Sequence, residues 1–172
     1  MKYTVLTLVL VLLGFAAVQA QYRPSFPDEN GLKVKEDYAK YEPTMVAAAE
    51  WLMETDLDKQ PDVRAATNQF VVRWLTGSPN VTITFEKPHI KLMDGNPMLL
   101  PVYMANYSSY CIRQQSYKDP LEPTKAGLTA IAKVYRKGIA IKKNKALDKL
   151  AEAIDQGQLD TYISKNPGLL PR

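Results

Sequence analysis

The chain of 172 residues contains one histidine, His89, and one cysteine, Cys111. A single imidazole excludes a multi-histidine metal site and a two-histidine acid/base pair. A thiolate nucleophile would need His89 beside Cys111; the thiol falls in a stretch that reads as mid-helix and the imidazole in a loop, so only the fold could join them. The competing reading of Cys111 is a small buried apolar residue. No G-x-S-x-G elbow offers another nucleophile. Carboxylate pairs exist in Glu50 with Glu54, one helical turn apart, and in Asp56 with Asp58. Such a pair could serve a small hydrolase, but glycosidase-type chemistry fixes the separation of its two acids across a cleft, and solvated helix charges look the same in sequence. Asp56, Asp58 and Asp62 lack the glycine and closing glutamate of a calcium loop. No metal or cofactor is expected.

Two other residue sets could bind rather than react. Lys142, Lys143 and Lys145 cluster where one helix should turn into the next, and i,i+4 partners cannot satisfy all three. They could dock on an acidic polysaccharide, lipid head groups or an acidic protein, or form a solvated face complemented by acidic residues elsewhere in the fold. Tyr103, Tyr107, Tyr110 and Tyr117 recur at spacings of four, three and seven, which sets them on one stripe of a helix. Each ring offers apolar area and a hydroxyl to a sugar or peptide, or the stripe is the rim of a helix interface.

Periodicity supplies the elements that must carry these residues. Thr44 to Leu57 reads as a first helix, with Trp51, Leu52 and Met53 as core bulk. Pro61 suits a first helical position, and Val63 to Leu75 continues as a second helix with Phe70, Val71, Trp74 and Leu75 at helical spacing. Val81, Ile83 and Phe85 then alternate with polar residues as a half-buried strand would, and Ile90 and Leu92 repeat the pattern more weakly around Pro88. A third helix is expected from Pro97 to Gln115, capped by Asn96, a fourth from Thr124 to Lys137, and a fifth from Asn144 to Gln156 with Gly157 as its stop. Leu159 to Ser164 could add one short helix. The expected fold class is mainly α: a single compact bundle of about five helices with one short β-strand or hairpin after the second.

The N-terminus carries an export pattern. Lys2 precedes an uninterrupted apolar run from Val5 to Val18, closed by the small-residue pattern ending at Ala20. The run is shorter than the roughly 20 apolar residues a bilayer span needs, so a cleaved signal over 1–20 is expected, then a flexible leader over 21–32 and one domain over 33–172. The destination would be the periplasm or the medium. No later stretch is apolar enough to span a membrane, and a lone cysteine allows no internal disulfide, so packing must hold the domain. Asn80-Val81-Thr82 and Asn106-Tyr107-Ser108 satisfy the N-glycosylation rule, which matters only in a eukaryotic host.

Without Lys2 the chain has 21 basic and 18 acidic residues, a formal +3. That balance hides a division. Thr124 to Lys149 holds eight basic residues against Asp148 alone, whereas Asp28 to Asp62 holds ten acids against four lysines. Nucleic acid is not an expected partner, since export separates the protein from most of it and no nucleic-acid motif is present.

The stretches RWLTGSPNV, NYSSYC and AGLTAIAKVYRKGIAIKKNKALDKL resemble small uncharacterised exported proteins of the Bacteroidota. The resemblance implies a bacterial, signal-bearing helical protein and carries no activity, cofactor or site residue. The resulting expectation is an exported, non-enzymatic protein that binds a protein partner or an anionic envelope component, through Lys142, Lys143 and Lys145 or through Tyr103, Tyr107 and Tyr110. The alternatives are a small extracytoplasmic hydrolase using a carboxylate pair, or a structural assembly subunit, which should expose a large apolar patch.

Overall fold

The computed structural model describes residues 25–27 and 31–170, so the proposed signal segment lies outside the described residues. Eight α-helices follow one another: α1 (Lys35–Lys40), α2 (Glu42–Glu54), α3 (Pro61–Gly77), α4 (Lys87–Met93), α5 (Leu99–Gln114), α6 (Leu121–Lys137), α7 (Lys145–Asp155) and α8 (Leu159–Lys165), with a 3-10 turn over Pro167–Leu169. The architecture is mainly helical, with no strand among the described residues.

Helix α5 is the centre. It packs most extensively on α6 and α2 and also meets α3. Its small residues Ala105, Ser108 and Ser109 are all buried, which lets neighbouring backbones approach. Gly127 does the same from α6: a methyl group there would stand 2.8 Å from the ring of Tyr103, so the tyrosine lies flat where only glycine leaves room. Leu128, Ile131 and Val134 of α6 and Leu147 and Leu150 of α7 complete this core. On the other side Met45, Leu52, Phe70, Val71 and Trp74 join α2 to α3.

Helix α2 stops three residues before the expected Leu57 because Arg64 of α3 captures the chain there. Its guanidinium donates to the carbonyls of Thr55 (2.9 Å) and Asp56 (3.0 Å) and sits 5.0 Å from the centre of the Trp51 ring. Liberated carbonyls at a helix end need donors, and a buried cation needs partners; each supplies the other. Within the segment expected to be a flexible leader, Phe26 stacks on Phe70 with ring centroids 4.8 Å apart.

The β insertion is corrected. Residues 81–86 form no regular element and pair with no strand among the described residues. The expected alternation holds as burial only at its start: Val81 is buried, Ile83 half-buried, and Thr82 and Thr84 exposed, but Phe85 is exposed and Glu86 half-buried. The expected partner around Ile90 and Leu92 is helix α4, since Pro88 falls in the first turn where its missing N–H costs nothing. Three helices exceed the expected five. Two of them, α1 and α4, are too short to show periodicity, and the third is α8, which the sequence marked as optional. Asn144, expected as the first residue of the fifth helix, caps α7, accepting from the N–H groups of Ala146 and Leu147. Asn96, expected to cap the third helix, makes no such bond.

Candidate anion-binding face

Asn96 is instead committed to the turn between α6 and α7. Its Nδ2 donates to the Lys142 carbonyl (2.9 Å) and its Oδ1 accepts the Lys142 N–H (2.8 Å), so both ends of one amide hold one residue's backbone. Two residues on, Asn144 works in the opposite direction. Its Nδ2 donates to the carbonyls of Lys91 (2.8 Å) and Asp94 (3.1 Å) at the end of α4, while its Oδ1 caps α7. The Asn144 N–H donates to the Tyr135 hydroxyl (3.2 Å), which donates to Asp148 (2.6 Å). The turn needs this fastening, because Ala140 is held at φ 54°, in the left-handed region where a side chain crowds the backbone.

These bonds join the start of α7 to the end of α4 and gather lysines from both. Lys142, Lys143 and Lys145 are exposed on the turn, Lys149 follows one helical turn later, and Lys87 and Lys91 stand one turn apart on α4. None of the six forms a salt bridge with a described residue. Of the nearby acids, Asp148 is occupied by Tyr135, and Asp94 makes no salt bridge.

The rest of the basic hairpin is arranged otherwise. Lys133 pairs with Glu54, Lys137 with Asp56, Arg136 with Asp155, and Lys125 with both Glu122 and Asp160. Within the basic hairpin, the acidic N-terminal part therefore complements Lys133 and Lys137 of α6. That pairing stops at the turn.

Beside the lysines lies an open groove of about 430 Å³, lined by Phe85, Ile90, Met93, Pro97 and Leu100. Ile90 is 65% exposed, Met98 38% and Phe85 37%. The Lys142 stem passes Gly95 at the groove's edge, its Cδ 3.6 Å from where a Gly95 methyl would stand. His89 forms the floor. The Glu86 N–H donates to its Nδ1 (3.2 Å), so Nδ1 is an acceptor and Nε2 carries the proton toward the Tyr103 hydroxyl at 3.3 Å. Burial holds the His89 imidazole below its ordinary pKa and pushes the Tyr103 hydroxyl up. Both groups are neutral at pH 7.

The expected tyrosine platform is not a surface. Tyr103 is 1% and Tyr107 6% exposed, packed as neighbours inside the bundle, and Tyr110 is half-buried. The heptad-like spacing marked the helix interface. The enzymatic candidates also separate. Glu50 pairs with Arg113 and Glu54 with Lys133 on exposed faces, stapling α2 to α5 and α6 rather than converging on a cleft. Cys111 lies two turns beyond Tyr103 on α5, about 12 Å along the axis, whereas both His89 nitrogens are engaged near Tyr103. Burial raises the Cys111 pKa to about 11, which removes thiolate character. Asn106 donates to the carbonyls of Val102 and Ala49, joining α5 to α2. Among the described residues no three His, Cys, Asp or Glu side chains group as metal ligands.

Sequence reasoning missed Lys87, Lys91 and Ile90 as members of this face, since they belong to a helix whose stretch read as strand. Comparison with protein-family models, with curated proteins and with solved structures finds no match.

Proposed function

We propose that this chain is an exported, non-enzymatic binding protein whose basic face engages an anionic component of the cell envelope. The observation that carries the reading is selective pairing: the basic residues named on α6 have carboxylate partners, while the six lysines around the clamped turn have none. Cations left unpaired at one place, on a backbone fixed by two asparagines, form a preorganised positive surface. The N-terminal apolar run supports export, in keeping with the resemblance to small exported bacterial proteins. A carboxylate-pair hydrolase is less well supported, because Glu50 and Glu54 are engaged in exposed ion pairs.

The test uses dextran sulfate as the anionic probe. A variant carrying Lys142→Glu, Lys143→Glu and Lys145→Glu should lose retention on a dextran sulfate column at low salt. A control placing the same charge change at the exposed Lys33, Lys35 and Lys118 should keep most of it. Equal loss in both variants would reduce the effect to net charge and sink the proposal.

A further inference from the structure

We infer that the α4 edge of the basic face docks on the surface of an anionic phospholipid bilayer, with lysines meeting head groups and Ile90 and Phe85 entering the interface. The inference rests on the anion-binding reading and adds the chemistry of the target.

Three observations carry it. The first is the adjacency of opposite surface types: unpaired Lys87 and Lys91 share the seven residues of α4 with Ile90, its most exposed large apolar side chain. Exposed apolar residues beside cations are what a bilayer interface rewards, since head groups attract the charge and the acyl boundary takes the side chain. A polysaccharide or a free phosphate gives Ile90 nothing. The second is shape. The groove is a shallow, open depression whose apolar residues protrude, whereas sites for single small molecules enclose most of the ligand's surface. Protruding side chains suit a target that surrounds them.

The third is rigidity and continuity. The Lys142 stem lies along the groove edge over Gly95, and Asn96 and Asn144 fasten the lysine turn to the α4 end. Charged and apolar parts therefore present as one surface. No described helix is long and apolar enough to cross a membrane, so the contact is peripheral.

The experiment is co-sedimentation of protein purified after expression of the full chain, with mixed phosphatidylglycerol/phosphatidylethanolamine vesicles and with phosphatidylcholine vesicles. All variants share the N-terminal segment, so differences among them report the face. The unaltered protein should partition onto the anionic vesicles and leave them as salt rises. Ile90→Ser should lower that partition about tenfold while leaving dextran sulfate retention and thermal stability unchanged, because the side chain already faces solvent. The Lys142, Lys143 and Lys145 to Glu variant should lower it on the order of a hundredfold and lose dextran sulfate as well.

Vesicle partition that is absent, or untouched by the Ile90 substitution, overturns the inference. If dextran sulfate retention meanwhile survives and depends on the three lysines, the anion-binding reading stands. If retention does not depend on them, both fall. Stoichiometric binding of myristate without vesicle binding overturns it in favour of a single-lipid site.

Discussion

The side-chain amide of Asn96 pairs with both the N–H and the carbonyl of Lys142, forty-six residues away. One asparagine thereby substitutes for a strand neighbour and fixes where the lysine turn sits against the end of α4. Replacing it with alanine removes both partners from two part-buried backbone groups. Asn96→Ala should therefore cost about 1–3 kcal/mol in urea unfolding. It should also speed hydrogen exchange at Lys142 while leaving α2 and α3 unaffected. Unchanged exchange at Lys142 would mean that Tyr135 and Asn144 hold the turn unaided.

Gly127 tests the packing of α5 on α6. A methyl group there would lie 2.8 Å from two carbons of the Tyr103 ring, and that ring is wedged among Phe85, His89 and Tyr107. Alanine is the better helix former by close to 1 kcal/mol, but overpacking costs about 1–3 kcal/mol. Gly127→Ala should be net destabilising, and Tyr103→Leu in the same chain should return part of the loss. Stabilisation by Gly127→Ala would show that the ring has room to move.

The long helices were legible because their apolar residues repeat often enough to define a face: Phe70, Val71 and Trp74 in α3, and Leu128, Ile131 and Ala132 in α6. Residues 81–93 were not legible. Alternating burial at Val81 and Ile83 belongs to a segment that pairs with no strand among the described residues and ends at the exposed Phe85, and the seven residues of α4 hold too few turns to announce a helix. The lysine cluster could be seen, but its freedom from carboxylates could not. Whether Glu54 and Asp56 reach Lys133 and Lys137 or Lys142 and Lys143 depends on how α2 crosses α6, which no local pattern contains. For the same reason Asn96 read as a helix cap when its partner lay in a distant turn.

Cys111 should behave as a core residue. It is buried on α5, and burial pushes its pKa to about 11; the thiolate is the reactive form and is scarce at neutral pH. Alkylation by iodoacetamide at pH 8 should be slow in the folded protein and at least a hundredfold faster in urea. Rapid labelling without denaturant would reveal local opening of α5.

His89 makes stability depend on pH. Burial lowers its pKa in the folded chain below the ordinary 6.5. Unfolded chains therefore bind a proton that folded ones refuse as pH drops through 6.5, and stability rises with pH wherever the unfolded state holds more protons. The contribution of the neutral, buried imidazole is thus complete above pH 6.5. It erodes between there and the lower folded pKa, and below that the loss levels off. Protonation would also force a donor at Nδ1, where the Glu86 N–H already points. Urea midpoints measured from pH 8 down to pH 5 should fall below pH 6.5 for the unaltered chain. The slope should be shallower for His89→Gln, which cannot titrate but keeps a polar side chain near Tyr103. Parallel slopes in the two proteins would assign the acid sensitivity to carboxylates in the ion pairs of α2 and α6 rather than to His89.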